Sequence, residues 1–117
     1  MRTISTALAS AVTAALVVVA PAHAGEPRPP GRPSSVDILG NAAGALEVWW
    51  TAPVRSGSQP IRKYVVKWRS GRLVVPARTT EVAVTGLGPG SYTFRVRAVS
   101  RAGAGPWSIP SRRLFVE

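Results

Sequence analysis

The sequence predicts an all-β protein, an antiparallel sandwich of seven short strands. Three observations carry this. Residues 87–108 run through a Pro-Gly turn, an alternating stretch and a Gly-rich loop. In the alternating stretch Tyr92, Phe94, Val96 and Ala98 share one face, and Thr93, Arg95, Arg97 and Val99 share the other. That period of two marks a strand with one buried face. Similar runs, punctuated by Gly, Pro and Ser turns, recur along the chain, and no helical period follows residue 24.

The first strand is short, residues 35–39, with Val36 and Ile38 as its apolar positions. After a turn at 40–44, residues 45–51 place Leu46, Val48 and Trp50 on one side and Glu47, Trp49 and Thr51 on the other. Pro53 ends that strand because it has no N–H for a ladder. A Ser-Gly-Ser loop leads to the third strand, 61–70, with Tyr64, Val66 and Trp68 inward and Lys63, Val65, Lys67 and Arg69 outward. Residues 73–75 form a short edge strand stopped by Pro76, and 80–85 a fifth strand with Val82 and Val84 inward. The sixth is the alternating stretch itself. The last, 112–116, turns Leu114 and Val116 inward. Seven strands at this spacing make a sandwich of immunoglobulin-like size.

The chain has 117 residues, 15 Lys or Arg against 5 Asp or Glu, and a formal net charge of +10. Residues 1–24 read as a signal peptide. A basic start at Arg2 precedes an apolar run over residues 7–20 and an Ala-x-Ala site at Ala22–Ala24. The run is shorter than the ~20 residues that span a bilayer. Cleavage after Ala24 would leave no transmembrane segment and a protein expected outside the cell. It would also remove the single His. With no Cys in the chain, the domain must be held by its apolar core. Chemistry built on His or Cys is excluded, as are the usual zinc and copper sites. No cofactor is expected. Residues 25–32 are a Pro-rich extended leader, and 33–117 the domain.

Four motifs in order resemble the fibronectin type III domain. They are Leu46-x-Val48-x-Trp50-x-x-Pro53, Ile61-x-x-Tyr64-x-Val66-x-Trp68, Leu87-x-Pro89-Gly90-x-Tyr92-x-Phe94-x-Val96-x-Ala98, and Gly103-x-Gly105-Pro106-x-Ser108. The resemblance implies the seven-stranded immunoglobulin-like β-sandwich. It makes Trp50 the tryptophan between the sheets. It makes Tyr92 a corner tyrosine whose hydroxyl returns to backbone near Leu87, with Tyr64 and Trp68 as inward core residues. The family's Arg-Gly-Asp adhesion motif is absent, since the loop 100–106 carries only Arg101. Trp107-Ser108-Ile109-Pro110-Ser111 is similar to the Trp-Ser-x-Trp-Ser motif of cytokine-receptor domains, with Pro110 in place of the second Trp. In that family, arginines of the sixth strand interleave with the motif tryptophans, and Arg95 and Arg97 hold the matching positions.

The candidate site is a basic stripe. Lys63, Lys67 and Arg69 from the third strand would lie beside Arg95 and Arg97 from the sixth, with Arg113 joining from the last and Arg101 and Trp107 nearby. Such a stripe attracts polyanions by its field and by counterion release. The same residues would also serve as a stabilising Arg–Trp ladder or as solubilising charge, and the ladder is the preferred reading. Outward Trp49 could contact a sugar or a protein, or be an isolated surface residue. Glu47 and Glu81 would sit on an exposed convex face without the walls a catalytic pair needs.

The expectation is a secreted, non-enzymatic binding or spacer module acting on an extracellular protein, with an anionic surface polymer as the alternative partner. No specific nucleic-acid recognition is expected; the sequence leaves the oligomeric state open and favours a monomer. Arg outnumbers Lys 13 to 2, and with the Ala-rich leader this composition suggests an exported protein of a GC-rich bacterium.

Overall fold

The computed structural model describes residues 26–40 and 44–117; the expected signal segment lies outside them. Among these residues there are only strands, turns and extended segments. The strands are β1 (Ser34–Gly40), β2 (Leu46–Thr51), β3 (Ile61–Trp68), β4 (Gly71–Pro76), β5 (Glu81–Val84), β6 (Gly90–Tyr92), β7 (Arg95–Ser100), β8 (Gly103–Ala104) and β9 (Leu114–Val116). One sheet has the order β1-β2-β5, a second β4-β3-β7-β8, and β6 pairs with β9. All pairings are antiparallel.

The alternation read in the sequence is the alternation that buries the core. Ile38, Leu46, Val48, Trp50 and Val84 from the first sheet meet Tyr64, Val66, Val75, Val96 and Ala98 from the second, with Tyr92, Phe94 and Val116 closing one end. Trp50 and Tyr64 meet edge-on with centroids 5.4 Å apart, and half-buried Trp68 tilts against Phe94 at 5.5 Å. Both geometries suit the quadrupoles of aromatic rings. The Tyr92 hydroxyl donates to the Gly88 carbonyl at 2.7 Å. This ties the corner one residue beyond Leu87, and the Leu87 side chain packs against the core.

Two expectations about strands are corrected. The sixth strand is broken: β6 ends at Tyr92, and β7 starts at Arg95. Phe94 leaves the ladder because its N–H donates to Ser111 Oγ at 2.9 Å and its carbonyl accepts the Ser111 N–H at 2.8 Å. The last strand does not continue the second sheet; β9 pairs with β6 instead. The place beside β7 is taken by the extended segment 105–111. There Gly105, Ser108 and Ser111 donate to the carbonyls of Ala98, Val96 and Phe94. A stride of three residues against two is not a β ladder. Pro106 and Pro110 cannot donate, and a three-residue repeat is that of polyproline helix.

The leader is not free of the domain. Gly31 N–H donates to the Arg55 carbonyl at 2.9 Å, and Ser58 N–H to the Arg28 carbonyl at 3.0 Å. Arg28 N–H donates in return to Ser58 Oγ at 2.9 Å. Pro30 and Pro33 are buried. Two glycines permit this close approach. A Cβ on Gly57, where φ is +86°, would strike the Arg28 carbonyl, and one on Gly105 would strike that of Pro30.

Candidate functional site

Charge is segregated between the two sheets. The strands of the β1-β2-β5 sheet carry three ionisable side chains, Asp37, Glu47 and Glu81, all acidic. Those of the β4-β3-β7-β8 sheet carry six side chains charged at neutral pH, all basic: Arg62, Lys63, Lys67, Arg72, Arg95 and Arg97. The inner faces are apolar, so both sets are pushed to the outer surfaces. Packed sheets lie only about 10 Å apart, so the strands of the two sheets present opposite signs on opposite faces, with Arg112, outside the strands, set against Asp37 on the acidic one.

The register arranges the cations in a row. Lys67 stands opposite Arg72 on β4 and opposite Arg95 on β7. Like charges directly across a ladder are destabilising. At a strand spacing of about 5 Å each pair costs on the order of 1 kcal/mol in water before salt screening. Trp107 relieves part of this. The Lys67 ammonium lies 4.2 Å from its ring centroid and the Arg97 guanidinium 4.4 Å. Each such contact contributes about 0.5–1 kcal/mol when exposed. Val65 is 5% exposed although it points outward; it stands opposite Arg97 in register, whose guanidinium is stacked on Trp107.

Trp107 is held in place by the serine beside it. Ser108 N–H donates to the Val96 carbonyl at 2.8 Å, and Val96 N–H donates back to Ser108 Oγ at 3.0 Å. Ser111 repeats the arrangement on Phe94. The segment thus keeps both backbone groups of Phe94 and Val96 satisfied where a ladder cannot form.

Of the expected stripe, Lys63, Lys67, Arg95 and Arg97 share the sheet face. Arg69 does not; it lies in the turn after β3, its guanidinium 4.7 Å from the Tyr92 ring centroid and its Nη2 donating to the Pro89 carbonyl at 3.3 Å. Arg113 does not join the face either, because it leads into β9, which pairs with β6. Arg101 follows β7 at its far end, beside Gln59, Pro60 and Arg62. Arg72 was missed. The two-residue turn at 69–70 pairs Trp68 with Gly71 and so brings Arg72 opposite Lys67; that turn was the signal in the sequence.

The opposite face holds Trp49, 37% exposed, between Asp37 and Glu81 in register, with Leu39, 55% exposed, opposite Glu47. Asp37 is paired with Arg112 Nε at 3.0 Å. The Ile38 N–H and then Arg112 hold its carboxyl below the usual carboxylate range. Among the described residues no group of three or more His, Cys, Asp or Glu is placed to hold a metal ion. No helix there is long and apolar enough to cross a membrane.

The profile of the fibronectin type III domain matches residues 31–113. The chain belongs to the fibronectin type III family. It is similar to human myomesin-2, 38% identical over a stretch covering 62% of this chain and 6% of that protein. It is also similar to the juxtamembrane domain-associated catenin of Caenorhabditis elegans, 33% identical over 70% of this chain and 7% of that protein. The chain thus spans less than a tenth of these relatives' length. Among solved structures it resembles domains A168–A170 of titin, with TM-score 0.66 and 28% identity over 76% of this chain and 32% of that one. The FN5 domain of Drosophila Lar gives TM-score 0.61 and 26% identity over 74% of this chain and 96% of that one. The curated relatives named here are animal proteins, and they lend the expected bacterial origin no support.

Proposed function

We propose that this fibronectin type III domain is a non-enzymatic binding module outside the cell, and that its working surface is the cationic face of the β4-β3-β7-β8 sheet. The carrying observation is the segregation of charge: six basic and no acidic side chains on the strands of that sheet. Domains of this family are generally non-catalytic and serve as interaction or spacer modules. A one-signed face of this density favours an anionic polymer as partner, whose bound counterions are released on contact. The test is retention on a sulfated-polysaccharide resin. The protein is expected to bind at low salt and to elute as salt rises, and K67E/R95E to elute earlier. Passage of the unaltered protein through the resin at low salt would sink the reading.

A protein partner is the second reading. It is favoured by Trp49 and Leu39, which stand exposed on the acidic face. Export is part of the proposal and rests on the apolar run and the Ala-x-Ala site before Gly25. N-terminal sequencing of protein recovered from the medium should begin at Gly25; an intact Met1 there would count against it.

A further inference from the structure

One place on the cationic face is concave. A depression of about 410 Å³ lies where β3 ends and β7 begins, lined by Lys67, Trp68, Arg69, Thr93 and Arg95. Three of its five lining residues are cationic, and Thr93 adds a hydroxyl. The three cations come from separate positions. Lys67 is on β3, Arg95 is its cross-strand partner on β7, and Arg69 stands in the turn beyond. Two of them are already oriented: Lys67 by Trp107 at 4.2 Å, and Arg69 by Tyr92 and the Pro89 carbonyl. A guanidinium has five N–H donors, so the bond to Pro89 leaves most of those on Arg69 available. No acidic residue lies on the strands of this sheet to compensate the three.

We infer that this depression is a subsite for one tetrahedral oxyanion ester, a sulfate or a phosphate, of a linear polymer whose next anionic groups are taken along the row by Arg72. The inference rests on the polyanion reading of the face. Donors spread over three positions match a group with three outward oxygens better than a planar carboxylate, which offers two. The row sets the direction of the polymer. Arg95, Lys67 and Arg72 succeed one another across the strands, about 4.8 Å apart by strand spacing. The chain is therefore bound across the strands rather than along them. Lys63 lies on the same strand as Lys67 but stands opposite Pro76 and Val99, outside the row.

The test is titration calorimetry of the full chain at low salt with a heparin oligosaccharide, a polyphosphate and a polyglutamate of matched charge number. Heparin and polyphosphate are expected to bind, and polyglutamate several-fold more weakly. Whichever of the first two binds more tightly supports the shared chemistry and names its source, sulfate or phosphate. R72Q/R95Q should bind both roughly tenfold more weakly and lower the salt slope by about two, while R62Q/K63Q, with the same charge loss outside the row, should bind only about twofold more weakly. Equal losses in the two variants, or polyglutamate binding as tightly as the esters, would overturn the subsite and leave the polyanion reading standing. Failure of the unaltered protein to bind any of the three would overturn both.

Discussion

Ser108→Ala removes one oxygen and should show how the last stretch of the sandwich is held. Ser108 is 2% exposed and Val96 is fully buried. The Oγ accepts the Val96 N–H at 3.0 Å, while the Ser108 amide still donates to the Val96 carbonyl at 2.8 Å. The substitution leaves that second bond in place and takes the partner from a buried N–H. A buried donor left unpaired costs about 1–3 kcal/mol. With a urea m-value of about 1–3 kcal/mol per molar, the midpoint should fall by about 1 M with m unchanged. Urea unfolding followed by tryptophan fluorescence reads this directly. Ser91→Ala, at an exposed position of β6, should stay within about 0.5 kcal/mol of the unaltered protein. If Ser108→Ala cost no more than Ser91→Ala, the hydroxyl would not be the partner of that amide, and the account of why 105–111 replaces a strand would fail.

Trp50→Ala opens a cavity between the sheets, against the Tyr64 ring, and should cost about 3–5 kcal/mol in the same urea assay; a loss under 1 kcal/mol would remove Trp50 from the core. Trp107→Ala gives up the contacts to Lys67 and Arg97, worth about 0.5–1 kcal/mol each, and should lower stability by about 1–2 kcal/mol; no change would show that the stack is idle. Burial raises the Tyr64 hydroxyl above the ordinary tyrosine value of 10.0. The unfolded chain therefore gives up this proton first, so the contribution is intact below pH 10 and is lost as pH rises through the folded value. Thermal melts should fall above pH 10 by less in Tyr64→Phe than in the unaltered chain, and equal falls would count against it.

Inward positions were legible because burial follows a period of two. Leu46, Val48 and Trp50, or Tyr64 and Val66, can face only one way once a strand is recognised. Val65 broke the pattern. It is outward by parity yet buried, opposite Arg97, against which Trp107, ten residues further on, stacks. The broken sixth strand was hidden for a similar reason. Tyr92 and Phe94 alternate perfectly, but the partner of Phe94 is Ser111, and alternation along one strand says nothing about which segment pairs with it.

The basic stripe shows the same division. That residues 63–67 and 95–97 are basic on their outward side is written in the sequence, and so is the family likeness that makes their strands neighbours. The row is not. It depends on register: Lys67 opposite both Arg72 and Arg95. A shift of one residue would have turned each of these side chains to the other face. Arg69 and Arg113 do not stand in the row, because a turn puts Arg69 at the end of the face, beside the depression, and a different strand pairing moves Arg113 away. The sequence by itself determined which side chains of each strand face the core and what sign the surface would have, since both follow from local pattern and composition. Only the tertiary structure decided which cations stand together and that one end of the cationic face is hollow. Those depend on pairings between segments far apart in the chain, which no local pattern encodes.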